Sequence, residues 1–299
     1  MGNCLPRLFR YHREGFLFSP WAKRGRMTYW NEKVALVTGA SRGLGLAIAR
    51  RLVRQGATVI LTARDPADLA AAAESLKGLS GAAIPMAADV TSDDDVKRLE
   101  KEIESRFGRL DLLVNNVGIS SRGKLLETQL ADFRRQWELN VMTAIRCVQA
   151  FAPMITKRKG HIVNIGSLAS KSAARFIGPY ATTKFALAGF TQQLRLELAD
   201  QGVHVLLVCP GPIAREDAGA RYDDQASELP AETRQPGAGV KLKAIDPAQL
   251  ATAILQGCER RQAELVMPWK ARVLFAVAQV SPRWGDWLQA KFSSRRSRT

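Results

Sequence analysis

From residue 33 to residue 268 short apolar runs alternate with longer amphipathic stretches, and this alternation predicts the elements. Runs rich in β-branched and aliphatic residues at 34–37, 58–62, 82–87, 110–114, 162–165, 203–208 and 264–267 read as strands. The segments between them at 46–55, 67–79, 93–107, 133–148, 180–198 and 248–259 have helical apolar spacing. Strand and helix in strict turn predict the α/β class: a single doubly wound parallel sheet flanked by helices. Residues 27–268 are expected to form that domain. The stretch 214–243, rich in Ala, Gly, Pro and charge, is too irregular for an element, and its length marks it as functional or disordered.

Composition changes the picture mainly at the ends. At 299 residues with 46% hydrophobic content, the chain can bury one large core. Its formal net charge is +16, of which residues 1–26 carry +5 and residues 269–299 carry +6. Basic ends on a moderately charged body point to an anionic surface more than to an anionic substrate, and solvated tails account for them equally well. Residues 1–26 lack the apolar core of a signal peptide, and Pro6 stands where a myristoylation site wants Ser or Thr. They are expected to be a disordered basic extension, with Met27 a natural start for the domain. The tail offers the apolar stretch 273–278, a break at Pro282, and then Trp284, Trp287, Leu288 and Phe292. It is too short and too charged to span a bilayer; it suits peripheral contact with a membrane surface or packing on its own domain. Cys4, Cys147, Cys209 and Cys258 lie far apart, so neither a disulfide framework nor a zinc motif is read. A cytoplasmic location is expected, and nucleic acid is not an expected partner.

Two stretches carry candidate chemistry. The first strand stops at Thr38-Gly39-Ala40-Ser41-Arg42-Gly43-Leu44-Gly45 and a helix follows. Glycines in such a turn let backbone amides and a helix N-terminus approach a pyrophosphate closely. Strand two ends at Arg64, where an enzyme using NAD would want a carboxylate for the ribose 2′-hydroxyl. Arg42 and Arg64 suit a 2′-phosphate instead, so NADP(H) is favoured over NAD(H). Asp65, next in sequence, either offsets that charge or touches the ribose. The second stretch is 160–184, where a buried strand runs into Ser167 and then into a helix with Tyr180 and Lys184. Four residues apart, the last two share a helix face, and an ammonium beside a phenol favours the phenolate. The strand end can aim the Ser167 hydroxyl into the same cleft.

The glycine turn, with Tyr180 and Lys184 downstream, resembles the short-chain dehydrogenase/reductase family over about residues 33–265. The resemblance implies a Rossmann-like fold and a homodimer or homotetramer packed through the Tyr180 helix, although core packing explains that helix's apolar positions as well. It implies that Asp89 and Val90 border the adenine; without it Asp89 reads as a cap for the helix at 93–107. Asn115-Asn116-Val117-Gly118 is similar to the family's Asn-Asn-Ala-Gly, with Asn116 on the cofactor side. Asn140, a poor residue for a helix interior, matches the family's active-site Asn, which bends the helix and holds a water linked to the lysine. Pro210, Gly211 and Ile213 match the turn that meets the nicotinamide, Arg215 stands where many members carry Thr, and 214–243 takes the place of the substrate lid.

Together these predict an NADP-dependent oxidoreductase for a small-molecule carbonyl/alcohol pair. Tyr180 supplies the proton, Lys184 lowers its pKa and bonds the cofactor ribose, Ser167 holds the substrate oxygen and Asn140 supports a water. The hydrophobic tail inclines the substrate towards apolar, lipid-like compounds. The alternative is a catalytically idle nucleotide-binding module held at a membrane or nucleic acid, against which the complete active-site set argues.

Overall fold

The computed structural model describes residues 28–215, 222, 225, 226, 229–234 and 242–292. The expectations for 1–26, for most of 214–243 and for the end of the tail lie outside the described residues. The strands are β1 Val34–Thr38, β2 Thr58–Thr62, β3 Ala82–Pro85, β4 Leu112–Asn115, β5 His161–Ile165, β6 His204–Pro210 and β7 Glu264–Met267. They pair in parallel in the order β3-β2-β1-β4-β5-β6-β7. The chain winds outward from β1, returns to β4 and winds the other way. That reversal opens a crevice at the carboxyl ends of β1 and β4, where α/β sheets bind ligands.

The helices are α1 Gly43–Arg54, α2 Pro66–Glu74, α3 Asp93–Phe107, α4 Leu130–Trp137, α5 Thr143–Lys157, α6 Tyr180–Glu197, α7 Pro247–Glu259, α8 Ala271–Val280 and α9 Pro282–Phe292. Helices α1, α2 and α7 cover one face of the sheet, burying Ile48, Leu52, Leu69 and Ile254 against Val37, Leu61 and Leu206. Helices α3, α5 and α6 cover the other with Leu99, Ile103, Phe151 and Leu194 on Leu36, Leu113 and Val205. Covered on both sides, β1, β4, β5 and β6 are buried along their whole length, which is why they read as unbroken apolar runs.

Local chemistry sets the helix starts. Asp65 caps α2, its carboxylate accepting from the Ala67 and Asp68 amides at 2.8 and 3.2 Å. Ser92, not Asp89, caps α3 by accepting from the Asp95 amide at 3.2 Å. The helix expected at 133–148 differs most. It begins at Leu130, widens into a π turn over Glu138–Met142, and continues as α5 to Lys157. A wide turn shifts the helical register, so one amphipathic period drawn through the segment misassigns its near side. Trp137 is 43% exposed, whereas Val141 and Val148 are buried.

Both ends of the described chain dock on this body. Trp30 is fully buried and donates its ring N–H to Glu259 at 2.8 Å. The Tyr29 hydroxyl meets His161 Nε2 at 2.8 Å, His161 Nδ1 meets His204 Nδ1 at 2.9 Å, and His204 Nε2 meets the Gln262 carbonyl at 2.7 Å. Because that carbonyl only accepts, His204 donates to it, His161 donates to His204 and Tyr29 donates to His161. This direction is that of two neutral imidazoles, the form that burial favours at both residues. Burial, then His204 and Lys33, pushes His161 down to about 3. Cys258 lies beside the pair, but hydrogen bonds already occupy all four ring nitrogens. In the tail α8 buries Phe275 with Leu207, Cys209 and Val266, and α9 anchors Gln289 to Ser172 at 3.1 Å and to the Ala173 carbonyl. Among the described residues no helix is long and apolar enough to cross a membrane.

Candidate active site

On the cofactor side, β1 delivers the chain to Gly39 and Gly43, with φ +62° and +58°, and α1 starts at Gly43 with no side-chain cap on its first amides. A methyl group at Gly45 would lie 2.2 Å from the Gly39 carbonyl oxygen, so only glycine lets α1 start this close to its own turn. Asn116, just past β4, ties the turn down by donating Nδ2 to the Thr38 and Gly39 carbonyls at 3.0 and 3.1 Å. Arg42 and Arg64 are both exposed on this side, and Asp65 is turned into its capping bonds rather than towards Arg64. Asp89 is half-buried, its carboxylate accepting from the Thr91 amide and hydroxyl at 2.9 and 2.8 Å, and Val90 is buried beside it. At the far side of the crevice Pro210 ends β6, the Gly211 amide donates to the Met267 carbonyl at 2.7 Å, and Ile213 bridges to Ile245. The glycine turn, Asn116 and the Pro210 turn all stand at the carboxyl edge of the sheet.

The Ser167, Tyr180, Lys184 and Asn140 positions gather at the carboxyl ends of β4 and β5. Ser167 caps a single turn over Leu168–Ser170, accepting from the Ala169 amide at 3.1 Å and leaving its own O–H to donate elsewhere. Pro179 stops the preceding loop, and α6 opens on Tyr180, which packs beside Ala169 and Ile177. One turn on, Lys184 is buried and donates to the Ile165 carbonyl at 2.9 Å, with Nζ 5.8 Å from the Tyr180 ring centre. Burial holds its ammonium down at about 8, so it is still mostly charged at neutral pH.

Asn140 lies inside the π turn and is buried. Its Oδ1 accepts from the Ile119 amide at 2.7 Å, and its Nδ2 donates to the Ile119 carbonyl and to Thr183 Oγ1, both at 2.9 Å. Thr183 in turn donates to the Tyr180 carbonyl at 2.8 Å. A methyl group at Gly118 would lie 2.9 Å from Asn140 Oδ1 and 3.4 Å from Lys184 Nζ. The amide and the ammonium therefore border the same small space over Gly118.

A cavity of about 550 Å³ adjoins this cluster, reaching Pro179 at the foot of α6 and Ile119 beside Asn140. Its lining is mostly polar, including Ser120, Ser121, Thr128, Gln129, Gln136 and Gln225. Arg122, 8% exposed, holds the described part of the 214–243 segment against it. The guanidinium donates to the Thr233 carbonyl at 2.6 Å and stacks 3.8 Å from the Tyr222 ring centre, and the Arg122 amide donates to Gln225 at 3.0 Å. The Tyr222 hydroxyl bonds Ser120. The sequence gives no sign of Arg122, Gln136 or Tyr222 as site residues, because a side chain in a loop or helix end carries no mark of burial. Only Thr183 had a signal: it shares the helix face of Tyr180, three residues earlier.

A model of the short chain dehydrogenase family matches residues 33–226. The ketoacyl reductase HetN of Nostoc sp. is 31% identical over 264 residues, covering 86% of this chain and 88% of that one. A short-chain dehydrogenase from Streptomyces avermitilis superposes with a TM-score of 0.74 at 30% identity, over 87% of this chain and 96% of its own. The L-sorbose reductase of Gluconobacter frateurii, solved with NADPH and L-sorbose, superposes with a TM-score of 0.70 at 28% identity, over 79% and 95%. The chain belongs to the short-chain dehydrogenase/reductase family, oxidoreductases acting on CH–OH groups.

Proposed function

We propose that the chain is an NADP(H)-dependent reductase or dehydrogenase of a carbonyl/alcohol pair. One observation carries the reading: the buried Lys184 ammonium and the Asn140 amide border one space over Gly118, one helical turn from Tyr180 and at the sheet edge that also holds the glycine turn. The turn residues Gly39, Ser41, Arg42, Gly43, Leu44 and Gly45 would hold the pyrophosphate, since the amides of a helix start are free to bind an anion. Arg42 and Arg64 would take a 2′-phosphate, a choice supported by their exposure, by the turning away of Asp65 and by NADPH in the sorbose reductase structure. Asp89 and Val90 would border the adenine, and Asn116, Pro210, Gly211 and Ile213 the nicotinamide half. The bound nicotinamide supplies the hydride.

The chain's own residues supply placement and the proton. Ser167 donates its free O–H to the substrate carbonyl oxygen, and Tyr180 delivers the proton to that oxygen during reduction. Lys184 sits close enough to favour the phenolate that remains and to bond the ribose. Asn140, held by three hydrogen bonds, fixes a water beside Lys184 for proton resupply. The polar cavity argues against an apolar, lipid-like substrate and for a polar carbonyl compound. Phe185 and Leu196, both exposed on α6, support pairing of that helix with a second copy. Exposed Trp269, Trp284 and Trp287 among basic residues support peripheral contact of the tail with an anionic membrane surface. Oxidation of NADPH by the purified chain with ketones, aldehydes and 3-oxoacyl thioesters tests the function; binding of NADPH without turnover of any of them would return the idle module.

A further inference from the structure

A residue that lines the cavity beside Pro179 carries a buried polar atom with no hydrogen-bond partner among the described residues. Gln136, in the last turn of α4, is 2% exposed. Its Nε2 donates to Ser121 Oγ, and Ser121 Oγ donates to the Ile177 carbonyl at 3.2 Å. The Ile177 carbonyl can only accept, so in that bond Ser121 is the donor, and with its proton placed there Ser121 accepts from Gln136. The amide is thereby fixed with nitrogen towards Ser121, and Oε1 is left buried without a hydrogen-bond partner among the described residues. A buried carbonyl oxygen without a donor is costly and uncommon in a finished fold. Here it belongs to a residue lining the cavity.

We propose that Gln136 selects the substrate: its Oε1 accepts from a hydroxyl of a neutral hydroxylated ketone or aldehyde, at a carbon away from the reacting carbonyl. This rests on the oxidoreductase reading above and names its substrate class. The rest of the lining fits a neutral polyhydroxy compound. Ser120, Ser121, Thr128, Gln129 and Gln225 are uncharged; of the charged lining residues Lys124 and Glu127 pair with each other at 2.7 Å, Arg122 is engaged with the Thr233 carbonyl and the Tyr222 ring, and Asp132 and Arg135 are exposed and opposite in sign. An ether or a methylene at the same place would leave Oε1 unpaired, and a site built to pair a substrate hydroxyl rejects the analogue that lacks it.

The test measures kcat/KM with NADPH for cyclohexanone, the three positional hydroxycyclohexanones, their methyl ethers, hydroxyacetone and sorbose. At least one hydroxylated ketone is expected to exceed both its methyl ether and cyclohexanone by about 10- to 100-fold. Gln136→Leu should lower that preferred substrate by a similar factor and cyclohexanone far less, so that the preference disappears. Gln136→Glu, which keeps an acceptor, should retain the preference, and it covers the case in which the leucine variant fails to fold. Turnover without preference for any hydroxylated probe, or equal losses on all probes in Gln136→Leu, would mean that Oε1 serves only the fold. That overturns this inference and leaves the oxidoreductase reading standing. Absence of NADPH turnover with these probes but turnover of an aldehyde or a 3-oxoacyl thioester overturns this inference alone; absence with all of them overturns both.

Discussion

Lys184 offers a test in which stability and activity should move in opposite directions. Its ammonium is fully desolvated and held at about 8, against 10.5 for a free lysine. Keeping that charge in the folded state costs roughly 3 kcal/mol at about 1.4 kcal/mol per unit of pKa. The unfolded chain binds the proton more tightly than the folded one, so stability rises with pH between 8 and 10.5 and the full cost is present below 8. Lys184→Met keeps most of the stem and removes the charge. The change also orphans the Ile165 carbonyl, which Lys184 now satisfies at 2.9 Å, at a cost of about 1–2 kcal/mol. The net expectation is a variant about 1–2 kcal/mol more stable than the parent at pH 7, or a few degrees in melting temperature. The advantage should shrink as pH rises towards 10. Activity with NADPH should fall by about 100-fold or more, since the ammonium beside the phenol is lost. Denaturant melts of the nucleotide-free proteins at pH 7 and 10, beside turnover, decide the matter. A variant less stable than the parent by more than about 1 kcal/mol, or one with near-parental turnover, would refute the reasoning.

Three further outcomes are expected. Gly118→Ala would push a methyl group to 2.9 Å from Asn140 Oδ1; displacing that amide should lower kcat about 100-fold while the melting temperature changes little, and an unchanged kcat would separate Asn140 from catalysis. Replacing Arg42 and Arg64 together by serine should weaken NADPH binding at least about 10-fold and leave NADH binding within about threefold, measured by titration; equal losses for both would remove the 2′-phosphate from their role. The full chain should co-sediment with anionic vesicles but not with neutral ones, and Trp269→Ser with Trp284→Ser and Trp287→Ser should abolish this; identical sedimentation of parent and variant would show that the tail only packs on its own domain.

How much could be read in advance depended on whether a residue's role was local. The glycine turn, Ser167, Tyr180 and Lys184 lie within short motifs next to strands, and β1, β2 and β7 fall where the apolar runs put them. Asn140 was visible as a helix-breaking residue, but not the π turn that it occupies or the register change that leaves Trp137 exposed. Asp65 and Asp89 were read for a ligand, and the backbone claimed their carboxylates first, one for the amides of α2 and the other for Thr91. Arg122 and Gln136 were invisible because their meaning comes from partners 111 and 15 residues away, and no spacing rule connects such pairs. The polar cavity likewise joins the Ile119–Gln136 region to Gln225 and Leu229, a juxtaposition that no local pattern reports.

The central claim is that Tyr180 gives its proton to a carbonyl oxygen while the nicotinamide gives a hydride. It is tested most directly by comparing the parent chain with Tyr180→Phe, following the absorbance of NADPH with one reducible carbonyl compound. The account predicts a fall in kcat of about 100- to 10,000-fold with NADPH affinity kept within a few-fold. A phenylalanine variant that turns over at near-parental rate would contradict it.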